Sequence, residues 1–208
     1  MPEEADPKQR LIESAQHLFH ARSYGTVAVQ DLCEFAEVQR GSFYYYFPSK
    51  LDLALAALDA DWQALRSDVF EPAFAKTAPP LDRFRRWAEL AYKYYTERAS
   101  RLGVMGGCPI GNLGQELNTL DGVIRSKVSE HFEAAMGYFQ EALKDAVAAG
   151  DIADIDSSAA AHRVFAYTQG MLLLAQTSDD PGVIRELGLD AVAVAGLAGS
   201  LSKATQAQ

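Results

Sequence analysis

Apolar residues recur along this chain at three- and four-residue intervals, and nowhere do they alternate over a strand's length. That periodicity restricts the fold to helices packed on helices. It is clearest where Val29, Leu32, Cys33 and Ala36 repeat at i, i+3, i+4 and i+7. Only Glu37 to Gln39 separate this short helix from a second one, which runs to about Tyr46 and is stopped by Pro48. Two short helices joined by so brief a turn form a helix-turn-helix pattern. An earlier helix, capped by Asp6 with Pro7 at its first position, carries the stripe Leu11, Ala15, Leu18 and Phe19 and ends near Ala21. The expected class is all-α: a three-helix N-terminal bundle followed by a larger helical body.

The body reads as a series of helices with defined stops. Ser49 and Asp52 have the form of a capping box ahead of a helix through Trp62 to about Val69. Pro72, Pro79 and Pro80 mark the stretch 72–80 as a loop. Residues 81–100 form a helix, and Gly106, Gly107 and Pro109 forbid one over 103–109. A short helix over 110–117 precedes a long one over 121–149, which Gly150 ends as a C′ glycine. Asp156 caps a helix to about Gln176, and Asp180-Pro181 opens the last, to about Leu201. The division expected is a reading domain over 1–48, connected through helix 49–69 to a body over 49–208.

The last two helices, about 156–176 and 180–201, are apolar on more than one face. Such helices can cover their own core on one side and a partner subunit on the other, so a homodimer through them is expected. Gly170 and Ala195 are taken as outward positions on that surface.

Charge restricts the function further. The 208 residues carry a net charge of −9, with −4 in residues 1–60 and −5 in the remainder. That excludes a protein that coats nucleic acid non-specifically. From Val38 to Lys50, however, there is no acid, and both Arg40 and Lys50 fall in that window. Phe43 and Phe47 share a helix face at i and i+4 and should pack inward with Val38. Gln39, Arg40, Gly41, Ser42, Tyr44, Tyr45, Tyr46 and Lys50 are then the candidate DNA-binding residues. Tyrosine, serine and glutamine side chains donate to phosphate oxygens, and Arg40 can fork onto guanine O6 and N7. Lys50 stands at a helix N-terminus, which favours an anion.

The run Leu11-Ile12, Ala15, Leu18-Phe19, Tyr24, Val29, Asp31-Leu32, Ala36, Val38, Gly41-Ser42-Phe43-Tyr44-Tyr45 and Phe47-Pro48-Ser49-Lys50 resembles the DNA-binding domain of TetR-type transcriptional repressors. The resemblance covers residues 8 to about 60. It implies a homodimer on a palindromic double-stranded operator. It also implies a C-terminal domain that binds a small ligand and dimerises through its last two helices. The sequence departs from the family pattern at three points. Glu37 stands where glycine is usual in the turn and would have to adopt a left-handed conformation. Val27-Ala28-Val29 lacks the usual cap hydroxyl unless Thr26 substitutes. Ser23 stands where a glycine often precedes the aromatic.

The segment Gly107-Cys108-Pro109-Ile110-Gly111-Asn112 is similar to a Gly-Cys-x-x-Gly-Asn stretch of a TetR subgroup, some of whose members respond to acrylate, aldehydes or other electrophiles. Cys108 is therefore either a sensor thiol or a small packing residue at a tight loop. Trp62, Tyr92, Tyr95, Met105, Cys108, Asn112, Phe132 and Phe165 are the candidate ligand-binding residues, although aromatics at helical spacing are also ordinary core. The competing reading is a helical thiol-dependent enzyme or electrophile-binding protein that uses Cys108. No cofactor motif is present, and His17 and His20 lack a third metal ligand. Two cysteines make no disulfide framework, no apolar run is long enough to span a bilayer, and the acidic N-terminus is not a signal peptide. A cytoplasmic protein without membrane association is expected.

Overall fold

The computed structural model describes residues 6–117 and 121–196. All regular structure among them is helical. The elements are α1 (Pro7–Ala21), a 3₁₀ turn (Tyr24–Thr26), α2 (Val29–Phe35), α3 (Arg40–Tyr46), α4 (Lys50–Leu65), a π-helical turn (Arg66–Phe70), α5 (Glu71–Ala73), α6 (Pro80–Leu102), α7 (Pro109–Leu117), α8 (Gly122–Ala149), α9 (Ser157–Ser178), α10 (Gly182–Gly188) and α11 (Ala191–Gly196). The chain divides into two compact units. One holds residues up to Ala64 together with Cys108–His131, and the other holds Leu65–Gly107 together with the residues from Phe132 onward.

The first unit is built on the inward stripe of α1. Leu11 and Ala15 are fully buried, as are Leu32, Phe43, Leu53 and Ile124. Asp6 caps α1 by accepting from the Lys8 N–H, with Pro7 at the first position. Ser49 caps α4: its Oγ accepts from the Asp52 N–H at 3.2 Å and donates to the Asp52 carboxylate at 2.7 Å. Residues of α7 belong to this unit, and α7 packs on α1 and on the 3₁₀ turn.

The second unit has an aromatic core. The Phe139 ring lies 5.3 Å from Trp87, 5.4 Å from Phe74, 5.8 Å from Phe84 and 5.9 Å from Phe70. Most of these pairs are edge-to-face, the arrangement that the ring quadrupole favours. Asp156 caps α9 by accepting from the N–H groups of Ser158 and Ala159. Gly150 adopts φ 77° after α8, and its N–H and that of Asp151 take up the carbonyls of Val147 and Ala146.

Two helix boundaries differ from expectation. Helical structure continues through Pro72, where a loop was expected, and ends only at Ala73. The π-helical turn Arg66–Phe70 makes this possible. The Glu71 N–H reaches back to the Arg66 carbonyl, and the widened turn relieves the clash that a proline ring makes inside a regular helix. The last helix is broken in two. The Leu187 carbonyl accepts from the Tyr167 hydroxyl at 3.0 Å and from the Asp190 N–H at 3.1 Å, and the helix restarts after Asp190. Its expected end, 197–201, lies outside the described residues. Gly170 is exposed as expected, whereas Ala195 is buried within its own chain.

Candidate nucleic-acid interface

The turn between α2 and α3 closes as a Schellman motif. The Val38 N–H donates to the Cys33 carbonyl at 2.9 Å and the Glu37 N–H to the Glu34 carbonyl at 3.2 Å. This geometry requires a left-handed residue at Glu37, whose φ is 53°. The departure read in the sequence is thus a real backbone strain, carried by a glutamate in a glycine position.

The start of α2 is held differently from either sequence alternative. Ala28 occupies the cap position with no side-chain bond, and the Asp31 carboxylate accepts the Ala28 N–H at 2.7 Å. Thr26 does not substitute for the missing cap, because its hydroxyl donates to the Ser23 carbonyl at 3.0 Å. Asp31 was visible in the sequence three residues past Ala28, the spacing at which a carboxylate reaches back.

On α3 the two faces separate as the spacing predicts. Phe43 and Phe47 are buried, with ring centroids 6.2 Å apart. Gln39, Arg40, Gly41, Tyr44 and Tyr45 are exposed, Tyr45 at 82 %, and Ser42 and Tyr46 are half-buried. The Arg40 guanidinium lies 5.9 Å from the centre of the Tyr44 ring, and the Tyr45 and Tyr46 rings meet edge-on at 5.0 Å. A β-carbon on Gly41 would meet nothing within 4 Å, so no contact inside the protein selects glycine there.

Lys50 is more tied down than its position in the sequence suggests. Its ammonium donates to the carbonyl oxygens of Tyr24 and Val27, both at 2.8 Å, and lies 4.0 Å over the Tyr24 ring. Burial pushes its pKa down, an effect that the nearby Glu116 carboxylate opposes. Glu116 also accepts the Gly25 N–H at 3.4 Å, so α7 grips the same turn. Nothing in the sequence links Tyr24, Lys50 and Glu116, which are brought together only by folding.

The candidate ligand residues fall in both compact units. In the first, Trp62 is buried and stacks on His131 at 5.7 Å. Cys108 is 9 % exposed, and its Sγ accepts from the Gly111 N–H at 3.3 Å in the first turn of α7. Asn112 is half-buried, its N–H on the Cys108 carbonyl. In the second unit, Phe132 and Phe165 meet at 4.9 Å. Tyr92 lies under the Arg185 guanidinium at 5.7 Å, and Tyr95 is buried against Tyr94. Met105 is buried, and its N–H donates to Asp179 at 2.7 Å. Among the described residues no group of three or more His, Cys, Asp or Glu side chains could hold a metal ion. No described helix is long and apolar enough to cross a membrane.

A helix-turn-helix whose second helix is free of acids, in a chain that continues as a helical body, is the pattern of a DNA-binding transcriptional regulator. The comparisons with known proteins agree. Residues 11–57 match the family described as bacterial regulatory proteins, tetR family, and residues 80–187 match the tetracyclin repressor-like C-terminal domain. The chain belongs to the TetR family of bacterial regulatory proteins. It is 29% identical over 177 residues to the transcriptional regulator AcuR of Cereibacter sphaeroides, covering 84% of this chain and 78% of that protein. It is 29% identical over 167 residues to the transcriptional repressor DhaR of a Mycobacterium species, covering 80% of each. The crystal structure of a regulatory protein TetR from Rhodobacter sphaeroides superposes with a TM-score of 0.78 at 28% identity, covering 89% of this chain and 97% of that one. The family and these relatives are regulators, so the chain is a regulator and not a thiol-dependent enzyme.

Proposed function

We propose that this protein is a homodimeric cytoplasmic repressor that reads a palindromic operator with α3 of each subunit and is released by a small-molecule effector. The observation that carries the DNA-reading role is the surface of α3. Gln39, Arg40, Tyr44 and Tyr45 stand exposed on a helix whose other face is locked by Phe43 and Phe47. In this reading Arg40 forks onto a guanine and Gln39 reaches a base edge. Ser42, Tyr44, Tyr45 and Tyr46 donate to phosphates, and Gly41 lets the backbone approach. Lys50 has spent two N–H groups on carbonyls, so a phosphate would take the third. Residues 1–48 form the reading domain, and 49–208 carry the effector and dimer surfaces.

The dimer reading is supported by the outer stripe of α9. His162, Ala166, Gly170, Leu173, Leu174 and Thr177 are all exposed, and none carries a carboxylate or an ammonium group. Leu173, Leu174 and, beside α10, Leu189 are more than half exposed. Pairing through such a surface sets two recognition helices roughly 34–36 Å apart, one turn of DNA. An effector then needs to favour the DNA-incompetent state by only about 1–3 kcal/mol. Trp62, Tyr92, Tyr95, Met105, Asn112, Phe132 and Phe165 remain its candidate contacts. The burial of Cys108 supports a packing role for that thiol and a reversible effector.

The test is an electrophoretic mobility shift with DNA from just upstream of the coding gene. A discrete complex that competitor DNA does not remove supports the reading, and binding no tighter than to random DNA contradicts it. Adding an α,β-unsaturated aldehyde to wild type and to Cys108→Ser separates the two effector modes. Release of wild type alone would restore Cys108 as a covalent sensor.

A further inference from the structure

In the second unit a cavity of about 350 Å³ is lined by Phe74, Arg83, Gly137 and Tyr138, with exposed Lys76 and Glu141 at its rim. Small-ligand pockets run from roughly 300 to 1,000 Å³. We propose that this cavity binds a small organic carboxylate with an apolar body, of the size of benzoate or hexanoate. The proposal does not rest on the operator reading.

The apolar wall is aromatic. The Phe74 and Tyr138 rings lie 5.8 Å apart, tilted by 42°. The two rings touch each other and together form one apolar wall, against which a flat ring or a short alkyl chain can lie.

The polar end is Arg83, which is 5 % exposed. Its Nε donates to the Ala78 carbonyl at 3.0 Å and its Nη1 to the Asp145 carboxylate at 2.6 Å. A guanidinium has five N–H donors in a planar fork, so three are left for the cavity that Arg83 lines. The bond from Arg83 holds the Asp145 carboxyl below the usual carboxylate range, so Asp145 stays ionised and cancels one positive charge. Glu141 at the rim is already bonded to Lys144 at 2.8 Å. Lys76, which also faces the Asp145 carboxylate, stands exposed at the rim and leaves this end of the cavity with one positive charge in excess. One negative charge on a ligand balances it, and a carboxylate is the group whose geometry matches a guanidinium fork. A neutral ligand leaves the charge in excess, and a cation is repelled.

Gly137 supplies an independent observation. It lies midway along α8, where a glycine costs about 1 kcal/mol relative to alanine. No close packing requires it, since a β-carbon there would meet nothing within 4 Å. What its missing side chain does is keep the cavity wall open.

The experiment is calorimetric titration of the full-length protein with benzoate and hexanoate, with benzamide as the uncharged control. Benzoate is expected to saturate one site per chain and benzamide to bind at least about tenfold more weakly, the difference a charge-assisted hydrogen bond makes. Lys76→Gln should weaken benzoate about threefold to tenfold and leave benzamide unchanged. Gly137→Leu should abolish binding of both while the unfolding temperature holds or rises. These variants spare the Arg83–Asp145 pair and so keep the fold. No saturable heat from either carboxylate up to about 10 mM overturns the proposal. So does benzoate binding of equal affinity in Gly137→Leu.

Discussion

The Lys50 ammonium caps the Tyr24 ring at 4.0 Å and donates to that residue's own carbonyl oxygen at 2.8 Å. The second bond, to the Val27 carbonyl, places the cation across the turn that leads into α2. Lys50 opens α4, so one side chain ties the start of α4 to the start of the helix-turn-helix. The lysine that sequence reasoning assigns to a phosphate is first a clamp of the reading head.

Replacing it should therefore cost stability as well as affinity. Lys50→Met keeps the stem and removes two charge-assisted bonds, so urea unfolding should show a loss of about 1–3 kcal/mol. Operator affinity should fall with it. A residue used only for phosphate contact would weaken DNA binding and leave the urea midpoint unchanged, and that pattern would contradict the clamp.

Glu37 holds φ 53° inside the Schellman turn. Glu37→Gly should stabilise the protein by about 0.5–1 kcal/mol, because glycine takes this conformation without the steric cost. Glu37→Val should destabilise it by at least about 1 kcal/mol, since a β-branched residue is a poorer fit still. Thermal unfolding of the three proteins should rank them glycine, glutamate, valine.

His131 gives the first unit a dependence on pH. It is 4 % exposed, and its Nε2 stands 3.0 Å from the Asp59 carboxylate, which Lys127 also approaches at 3.4 Å. Burial pushes its pKa below 6.5; the Asp59 and Glu130 carboxylates oppose the shift and Lys127 adds to it. Protons are then taken up by the unfolded chain first as the pH falls below 6.5, so stability drops in that window. His131→Gln should flatten the slope of unfolding free energy between pH 7 and about 5.5. An unchanged slope would mean that His131 titrates alike in both states.

The exposed leucines of the last helices should decide the oligomeric state. Leu173→Glu and Leu189→Glu each place a carboxylate on the apolar surface proposed as the subunit contact. Light scattering at micromolar concentration should find wild type as a dimer and these variants as monomers. Gly170→Glu, on the same α9 stripe, should act likewise, whereas Ala195→Glu should disturb the fold instead because that side chain is buried. A monomeric wild type would contradict the dimer.

Much of the fold could be read from local chemistry. The inward pair Phe43 and Phe47, the caps at Asp6, Ser49 and Asp156, and the left-handed Glu37 each depend on residues within a few positions of one another. What escaped depended on distance. Pro72 stays inside helical structure because of a π-turn that no residue type announces. The last helix breaks where the Tyr167 hydroxyl, 20 residues earlier, takes the Leu187 carbonyl. Lys50 finds its acceptors 23 and 26 residues back, and Glu116 reaches Gly25 across 91. The outward face of α3 was legible for the opposite reason. Exposed residues have few partners, so their chemistry is carried by their own identity.

If α3 reads base edges, Arg40 is the side chain on which the reading depends most. Fluorescence anisotropy should compare wild type and Arg40→Ala on the gene's upstream DNA and on a random duplex, at several salt concentrations. Arg40→Ala should lose about 1–3 kcal/mol on the specific site, relax the preference at one base pair per half-site and change much less on random DNA. Equal affinity of the two proteins for the specific site would contradict it.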